Sequence, residues 1–276
     1  MAGKRTFKNK TVVITGAAGG LGRAFSDRFA EAGARLALLD VKKDAVGKLA
    51  GEMTSKGVDC LGLGCDVTSD RACREAIRVV VETHGGVDLI INNAGVAQRS
   101  AFAQTQPDVF RQVMDVNFFG AVQATRAALP SLMSQKGMII VISSIAGFAP
   151  LYGRTAYAAS KHALHGLFDT LRTELKPHGV GVMIVCPGFV DTDFSLTALD
   201  GDGKITRHPR SMVGRAASPQ RVADAVLRGA RRNKRMLILS NVGRTTRLIT
   251  KLAPGFYERL MARSLRTELQ RPPLNE

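Results

Sequence analysis

The chain has 276 residues, is 45% hydrophobic and lacks tryptophan, enough for one large α/β domain with an aliphatic core, as in a parallel sheet covered on both faces. Its four cysteines (Cys60, Cys65, Cys73, Cys186) match no zinc spacing, and no run of about eighteen apolar residues could span a bilayer. The net charge of +16 is uneven, with 17 Lys or Arg against 5 Asp or Glu in residues 201–276, which makes either a solvated basic face or an attraction for phosphates, acidic membranes or nucleic acid.

Residues 1–10 are polar and basic, which argues against a signal peptide, and the cysteines read as buried thiols of a reducing compartment. A cytoplasmic protein, with or without membrane association, is expected. Residues 11–15 (TVVIT) form a first strand, and residues 21–33 have helical spacing through Leu21, Phe25 and Phe29 up to a glycine stop. Strands follow at 35–40, 59–66 and 87–92, with helices at 44–56 and 70–84 between them. Residues 107–135 read as one long helix, opened by Pro107, with Thr105 placed to cap it and a bend near Pro130. Residues 137–143 are a fifth strand, 155–176 a helix and 180–186 a sixth strand. Residues 187–215 have little periodicity and many glycines, and a long loop inside a compact domain is usually functional. Ser218 and Pro219 open a helix to 232, and residues 236–239 make a seventh strand.

This alternation predicts a doubly wound parallel sheet of about seven strands with helices on both faces. Ligands of such sheets sit at the carboxyl ends of the strands. There the first strand runs into Gly16-Ala17-Ala18-Gly19-Gly20-Leu21-Gly22. Glycines let backbone N–H groups approach a pyrophosphate, and the helix start supports its charge. Strand two ends in Asp40. A carboxylate there accepts from ribose hydroxyls and repels a 2′-phosphate, so NAD is expected and NADP is the lesser alternative, kept open by Lys42 and Lys43.

From residue 8 to residue 240 the sequence resembles the short-chain dehydrogenase/reductase family. The family's TGxxxGxG pattern is matched by Thr15, Gly16, Gly20 and Gly22. Asn92-Asn93-Ala94-Gly95, Asn117, Ser144, Tyr157-Ala158-Ala159-Ser160-Lys161 and Pro187-Gly188 follow in the family's order. The resemblance implies that Asp66 and Val67 lie near the adenine, that Asn92 steadies the sheet, and that Asn93, Ala94 and Gly95 border the cofactor. It further implies that Pro187 and Gly188 turn the chain beneath the nicotinamide, that Val190 N–H and the Thr192 hydroxyl bind its carboxamide, and that Lys161 contacts its ribose. Asn117 would help hold a water in a proton path to Lys161.

Tyr157 and Lys161 lie four residues apart on a predicted helix, hence on one face. A phenol is a poor base at neutral pH, and a nearby ammonium favours its ionised form. Ser144, just beyond strand five, is placed to hold a substrate oxygen against the phenol, with Ser143 as its competitor. In the expected reaction Tyr157 takes the hydroxyl proton while hydride passes to the nicotinamide. Phe189, Phe194, Leu196, Leu199 and Met212, with Phe148, Leu151 and Tyr152, would line an apolar pocket for a steroid-, retinoid- or fatty-alcohol-like compound.

No metal is expected. Residues 200–204 (DGDGK) start like a calcium loop, but Lys204 occupies a ligand position, and His84, His162, His165, His178 and His208 are scattered. Residues 241–276 form a basic amphipathic extension beyond the domain of residues 1–240. Leu248, Leu252, Phe256 and Leu260, and Ile249, Tyr257, Met261 and Leu265, recur at helical spacing, Arg244, Arg247, Lys251, Arg259, Arg263 and Arg266 fill the other faces, and Pro254-Gly255 divides the stretch into two helices. The extension could cover the substrate cleft, pack on a second subunit of a homo-dimer or homo-tetramer, or rest on a membrane. Two rivals remain: an NADPH-dependent carbonyl or 3-oxoacyl reductase, and a dinucleotide-sensing protein acting through its basic tail. No nucleic-acid-binding module is recognisable.

Overall fold

The computed structural model describes residues 5–207 and 215–270, the side chains of 266–270 excepted. His208, Pro209, Met212 and Gly214, and the side chain of Arg266, lie outside the described residues.

Seven strands form one parallel sheet: β1 (Thr11–Thr15), β2 (Arg35–Asp40), β3 (Cys60–Gly64), β4 (Leu89–Asn92), β5 (Met138–Ile142), β6 (Gly181–Cys186) and β7 (Met236–Ile238). Their order is β3-β2-β1-β4-β5-β6-β7, so the winding reverses between β1 and β4. A crevice opens at such a reversal, and ligands bind there.

The sheet is apolar on both faces because the strand residues alternate between two cores. Val12 and Ile14 face one core, together with Met138 and Ile140. Val13, Ile139 and Val141 face the other. The first core lies under α1 (Gly20–Glu31), α2 (Lys43–Ser55) and α7 (Pro219–Arg231). The second lies under α3 (Asp70–His84), α5 (Gly120–Ser134) and α6 (Thr155–Glu174). Side-chain caps set several helix starts: Ser69 accepts from Ala72 N–H (3.2 Å), and Ser218, with Pro219 behind it, accepts from Arg221 N–H (3.3 Å).

The long helix expected over 107–135 is three pieces. α4 (Pro107–Met114) passes into a π-helical turn, Asp115–Phe119, before α5 begins. The π turn closes with Gly120 N–H donating to Asp115 O, one residue wider than an α turn, and Asn117 sits at its middle. Apolar spacing does not distinguish such a turn from the helix around it. Thr105 does not cap α4, which starts after Gln106 without a side-chain acceptor; the Thr105 hydroxyl instead donates to Ala101 O (2.8 Å). Cys60 is half-buried and the other three thiols are buried, all four free.

Beyond β7 the chain continues as α8 (Asn241–Leu252) and α9 (Pro254–Gln270), divided before Pro254. Two contacts tie α9 to the loop before α6: Tyr152 N–H to the Met261 sulfur (3.0 Å) and the Tyr257 hydroxyl to Pro150 O (3.3 Å).

Candidate active site

The carboxyl ends of β1, β4, β5 and β6, with the tail helices, enclose a cleft of about 1320 Å³. A drug-sized ligand needs roughly 300–1,000 Å³, so there is room for a dinucleotide and a substrate together. Every residue that the sequence placed at the cofactor lines this cleft.

At one end the site is made of backbone. Gly16 has φ of 63°, the left-handed region, and a Cβ on it would lie 2.8 Å from Ala94 Cα. A Cβ on Gly22 would lie 2.3 Å from Gly16 O, and one on Gly20 2.8 Å from Thr192 Cγ2. The turn, the first turn of α1 and the segments after β4 and β6 therefore meet with no space for side chains. Gly19 differs, since a Cβ there would make only an ordinary contact, 3.5 Å from Gly16 O. It is the residue preceding α1, and no side chain caps the helix start. The first N–H groups of a helix without a side-chain cap form an anion site. A dinucleotide's pyrophosphate fits this donor set.

Asn93 holds the turn in place. Its side-chain amide donates to Thr15 O and Gly16 O (both 3.0 Å), and the Thr15 hydroxyl accepts from Asn93 N–H (3.0 Å) and Ala94 N–H (3.1 Å). Asn92 steadies the sheet indirectly, by donating to Thr125 of α5 (2.9 Å). The Asp40 carboxylate accepts from Ala18 N–H (2.9 Å) and Lys42 N–H (3.0 Å). It thus fixes the glycine turn, and each oxygen keeps acceptor capacity for a ribose hydroxyl. Asp66 accepts from Thr68 N–H and its hydroxyl (2.9 and 2.8 Å), and Val67 packs where a Gly120 side chain would otherwise lie.

In the middle of the cleft the structure brings Ser144, Tyr157 and Lys161 together. The Ser144 hydroxyl oxygen accepts from Ala146 N–H (3.1 Å), which leaves its own proton free to donate into the cleft that Tyr157 also lines. Ser143 faces away: its Oγ lies 3.0 Å from His165 Nε2 and donates to Lys161 O (3.4 Å). Both serines line the cleft, but the Ser143 hydroxyl is engaged behind it with His165 and Lys161 O. Lys161 Nζ is 5.6 Å from the centre of the Tyr157 ring and donates to Ile142 O (2.9 Å), with two N–H bonds left.

Burial raises the Tyr157 phenol above its ordinary value, while the neighbouring Ser144 hydroxyl and the Arg154 guanidinium act to lower it. Lys161 lies beside the same ring and is itself buried. Burial pushes its own ammonium down to about 8, so it stays mostly charged at pH 7. Arg154 belongs to no motif, but it lies three residues before Tyr157 at the start of α6. That spacing on one helix face is the signal that could have found it.

Asn117 is buried within the π turn. Its side chain pairs with both backbone groups of Val96 (Oδ1 from N–H, 2.7 Å; Nδ2 to O, 3.0 Å) and donates to the Ser160 hydroxyl (2.9 Å). This side chain joins the segment after β4 to α6. Behind Ser143, His165 lies 3.6 Å from the Cys186 sulfur. Burial pushes this imidazole down to about 4 and this thiol up to about 12, so the cluster is uncharged at neutral pH. His162 is exposed, with Nδ1 2.9 Å from Ala158 O.

At the far end the walls are side chains. Leu151, Phe189 and Phe194 line the cleft as expected, but Phe148, Tyr152, Leu196 and Leu199 do not. Phe148 packs edge-on against His165 (6.2 Å), Leu199 joins a small core with Val109, Val113 and Ala156, and Leu196 is exposed. Their place is taken by Val96 and, from α8 and α9, by Ile249, Tyr257, Met261 and Leu265.

Comparison with known proteins agrees with this geometry. The profile described as "short chain dehydrogenase" matches residues 10–201. The chain belongs to the short-chain dehydrogenase/reductase family. It is 37% identical over 269 residues to "Dehydrogenase/reductase SDR family member 7B" of Bos taurus, covering 95% of this chain and 83% of that protein. It is 33% identical over 260 residues to "Dehydrogenase/reductase SDR family protein 7-like" of Drosophila melanogaster, covering 92% and 80%. Among solved structures, a short-chain dehydrogenase/reductase from Burkholderia phymatum in complex with NAD shares the fold, with TM-score 0.76, 24% identity and 99% of both chains covered. An alcohol dehydrogenase from Thermococcus sibiricus complexed with 5-hydroxy-NADP superposes with TM-score 0.74 and 27% identity over 85% of this chain and 97% of that one. This member of the family is an oxidoreductase, and among its described residues no helix is long and apolar enough to cross a membrane.

Proposed function

We propose that this oxidoreductase transfers a hydride between NAD and a lipophilic secondary alcohol or the corresponding ketone. The observation that carries this reading is the convergence of Ser144, Tyr157 and Lys161 on one cleft with a glycine anion site at one end and apolar walls at the other. The N–H groups of Gly20 and Leu21 would hold the pyrophosphate, and Asp40 the adenosine ribose. When bound, NAD supplies the hydride acceptor and a positive ring charge that favours phenolate.

The protein's own residues handle the proton. Ser144 donates to the alcohol oxygen and keeps it against the phenol. Tyr157 accepts the hydroxyl proton in oxidation and returns it in reduction. Lys161 keeps an ammonium within the same buried volume, and its two unused N–H bonds can orient a hydroxyl or a water. Arg154 opposes the effect of burial on the phenol.

NADP is the second reading, favoured by Lys42, which lines the cleft beside Asp40. The test is a panel of lipophilic secondary alcohols with NAD or NADP, followed by absorbance of the reduced nicotinamide. Turnover with NAD at lower concentration than with NADP supports the proposal. Binding of neither dinucleotide at millimolar concentration overturns it.

A further inference from the structure

Leu248 and Leu252 stand one helical turn apart on α8, Phe256 and Leu260 one turn apart on α9, and they are 59%, 76%, 60% and 50% exposed. Single exposed hydrophobic residues are ordinary, but two such pairs on helices that pack against each other offer a surface of interaction. Arg244, Lys251, Arg259 and Arg263 are also exposed. Each lies one helical turn from one of these four apolar residues, so it shares that face. Over residues 241–265 the one acidic residue is Glu258. Long basic side chains beside an apolar stripe can lay their stems along it and raise their charged heads to phosphates.

The same helices wall the cleft from their other side, through Ile249, Met261 and Leu265. Leu260 belongs to both surfaces. Phe194 and Val242 likewise line the cleft while remaining 39% exposed each. Val242 and Leu260 thus carry apolar surface from the exposed side of the tail helices to the cleft.

We propose that this face of α8 and α9 docks on an anionic bilayer surface, turning the mouth of the cleft to the lipid so that the substrate enters from the membrane. Docking rests on the tail alone; entry of substrate from lipid rests also on the lipophilic reading above. Charge selects the occupant. A second copy would bring together two C-terminal quarters with 17 basic against 5 acidic residues each, which repel. Anionic headgroups complement them.

The experiment is sedimentation of the full chain with vesicles of phosphatidylcholine alone, or with about 30% phosphatidylserine, without substrate. The chain should sediment with the mixed vesicles, at least about tenfold more weakly with the neutral ones, and come off as salt rises. Lys251→Ser with Arg259→Ser should weaken binding roughly 30-fold. Leu252→Ser with Phe256→Ser should weaken it at least as much. Neither pair lines the cleft, so both variants should oxidise a short water-soluble secondary alcohol at the wild-type rate. The proposal is overturned if the wild type ignores the mixed vesicles, or if this face forms a dimer that Leu252→Ser with Phe256→Ser dissolves. Vesicle binding without turnover of any lipophilic alcohol keeps the docking and removes the substrate reading; the reverse pattern removes the docking alone.

Discussion

At the glycine-turn end of the cleft, backbone meets backbone: a Cβ at Gly16 or Gly22 would strike main-chain atoms at 2.8 and 2.3 Å. At the tail end, side chains from two loops and two added helices make the wall, and several of them stand partly in solvent. The first arrangement tolerates one residue type at each close approach, because no rotamer relieves a main-chain clash. The second tolerates many, because an apolar wall needs only volume and hydrophobicity. A fixed ligand is recognised by the first kind of surface, and a variable one by the second.

The sharpest way to break this contrast is at the backbone end. Gly22→Val should destabilise the fold by about 3 kcal/mol or more and abolish dinucleotide binding; urea unfolding and calorimetry with NAD measure the two losses. A folded, NAD-binding variant would mean the close approach is not needed. Next comes the middle of the cleft. Ser144→Ala should lower kcat roughly 10²- to 10³-fold, since it removes a donor aimed at the reacting oxygen. Ser143→Ala, on the buried side, should lower it less than about tenfold, which initial rates will separate.

Asp40→Ala should narrow the preference for NAD over NADP by roughly 10- to 100-fold in kcat/KM, and it sharpens the comparison because Asp40 also ties down the glycine turn. The phenol gives a smaller effect with a definite sign. Oxidation needs the ionised form of Tyr157, and burial lifts that group above its ordinary value. Oxidation should therefore rise with pH from 7 to 10, while reduction, which uses the protonated phenol, should not fall over the same range. Arg154→Met removes one of the lowering influences, so the oxidation profile should move up by roughly half to one pH unit. The mildest change belongs to the tail wall. Met261→Ala should raise KM for a long-chain alcohol about threefold and leave KM for NAD unchanged, as expected of one contact among many.

The same contrast governs how much could be read from the chain. The sheet, the crossover helices and the glycine turn were legible because strand alternation, helical spacing and glycine at close approaches are all local patterns. Ser144, Tyr157 and Lys161 were legible through spacing on one strand end and one helix. The π turn at Asn117 was not, since widening a helix by one residue changes no residue type. Phe148 and Leu199 were placed on the pocket by composition and turned inward by the fold. That Ile249, Met261 and Leu265 complete the wall depends on how α8 and α9 return to the cleft, which amphipathic spacing alone cannot specify. Arg154 acts by charge from one turn away, and no motif records it.

The whole reading depends on Tyr157 as the group that moves the proton. The direct measurement is Tyr157→Phe, assayed for NAD affinity by calorimetry and for NADH formation from a lipophilic secondary alcohol. The expected result is an affinity within about threefold of wild type and a rate lower by roughly 10³-fold. A variant that keeps its fold and turns over within about tenfold of wild type would contradict the mechanism.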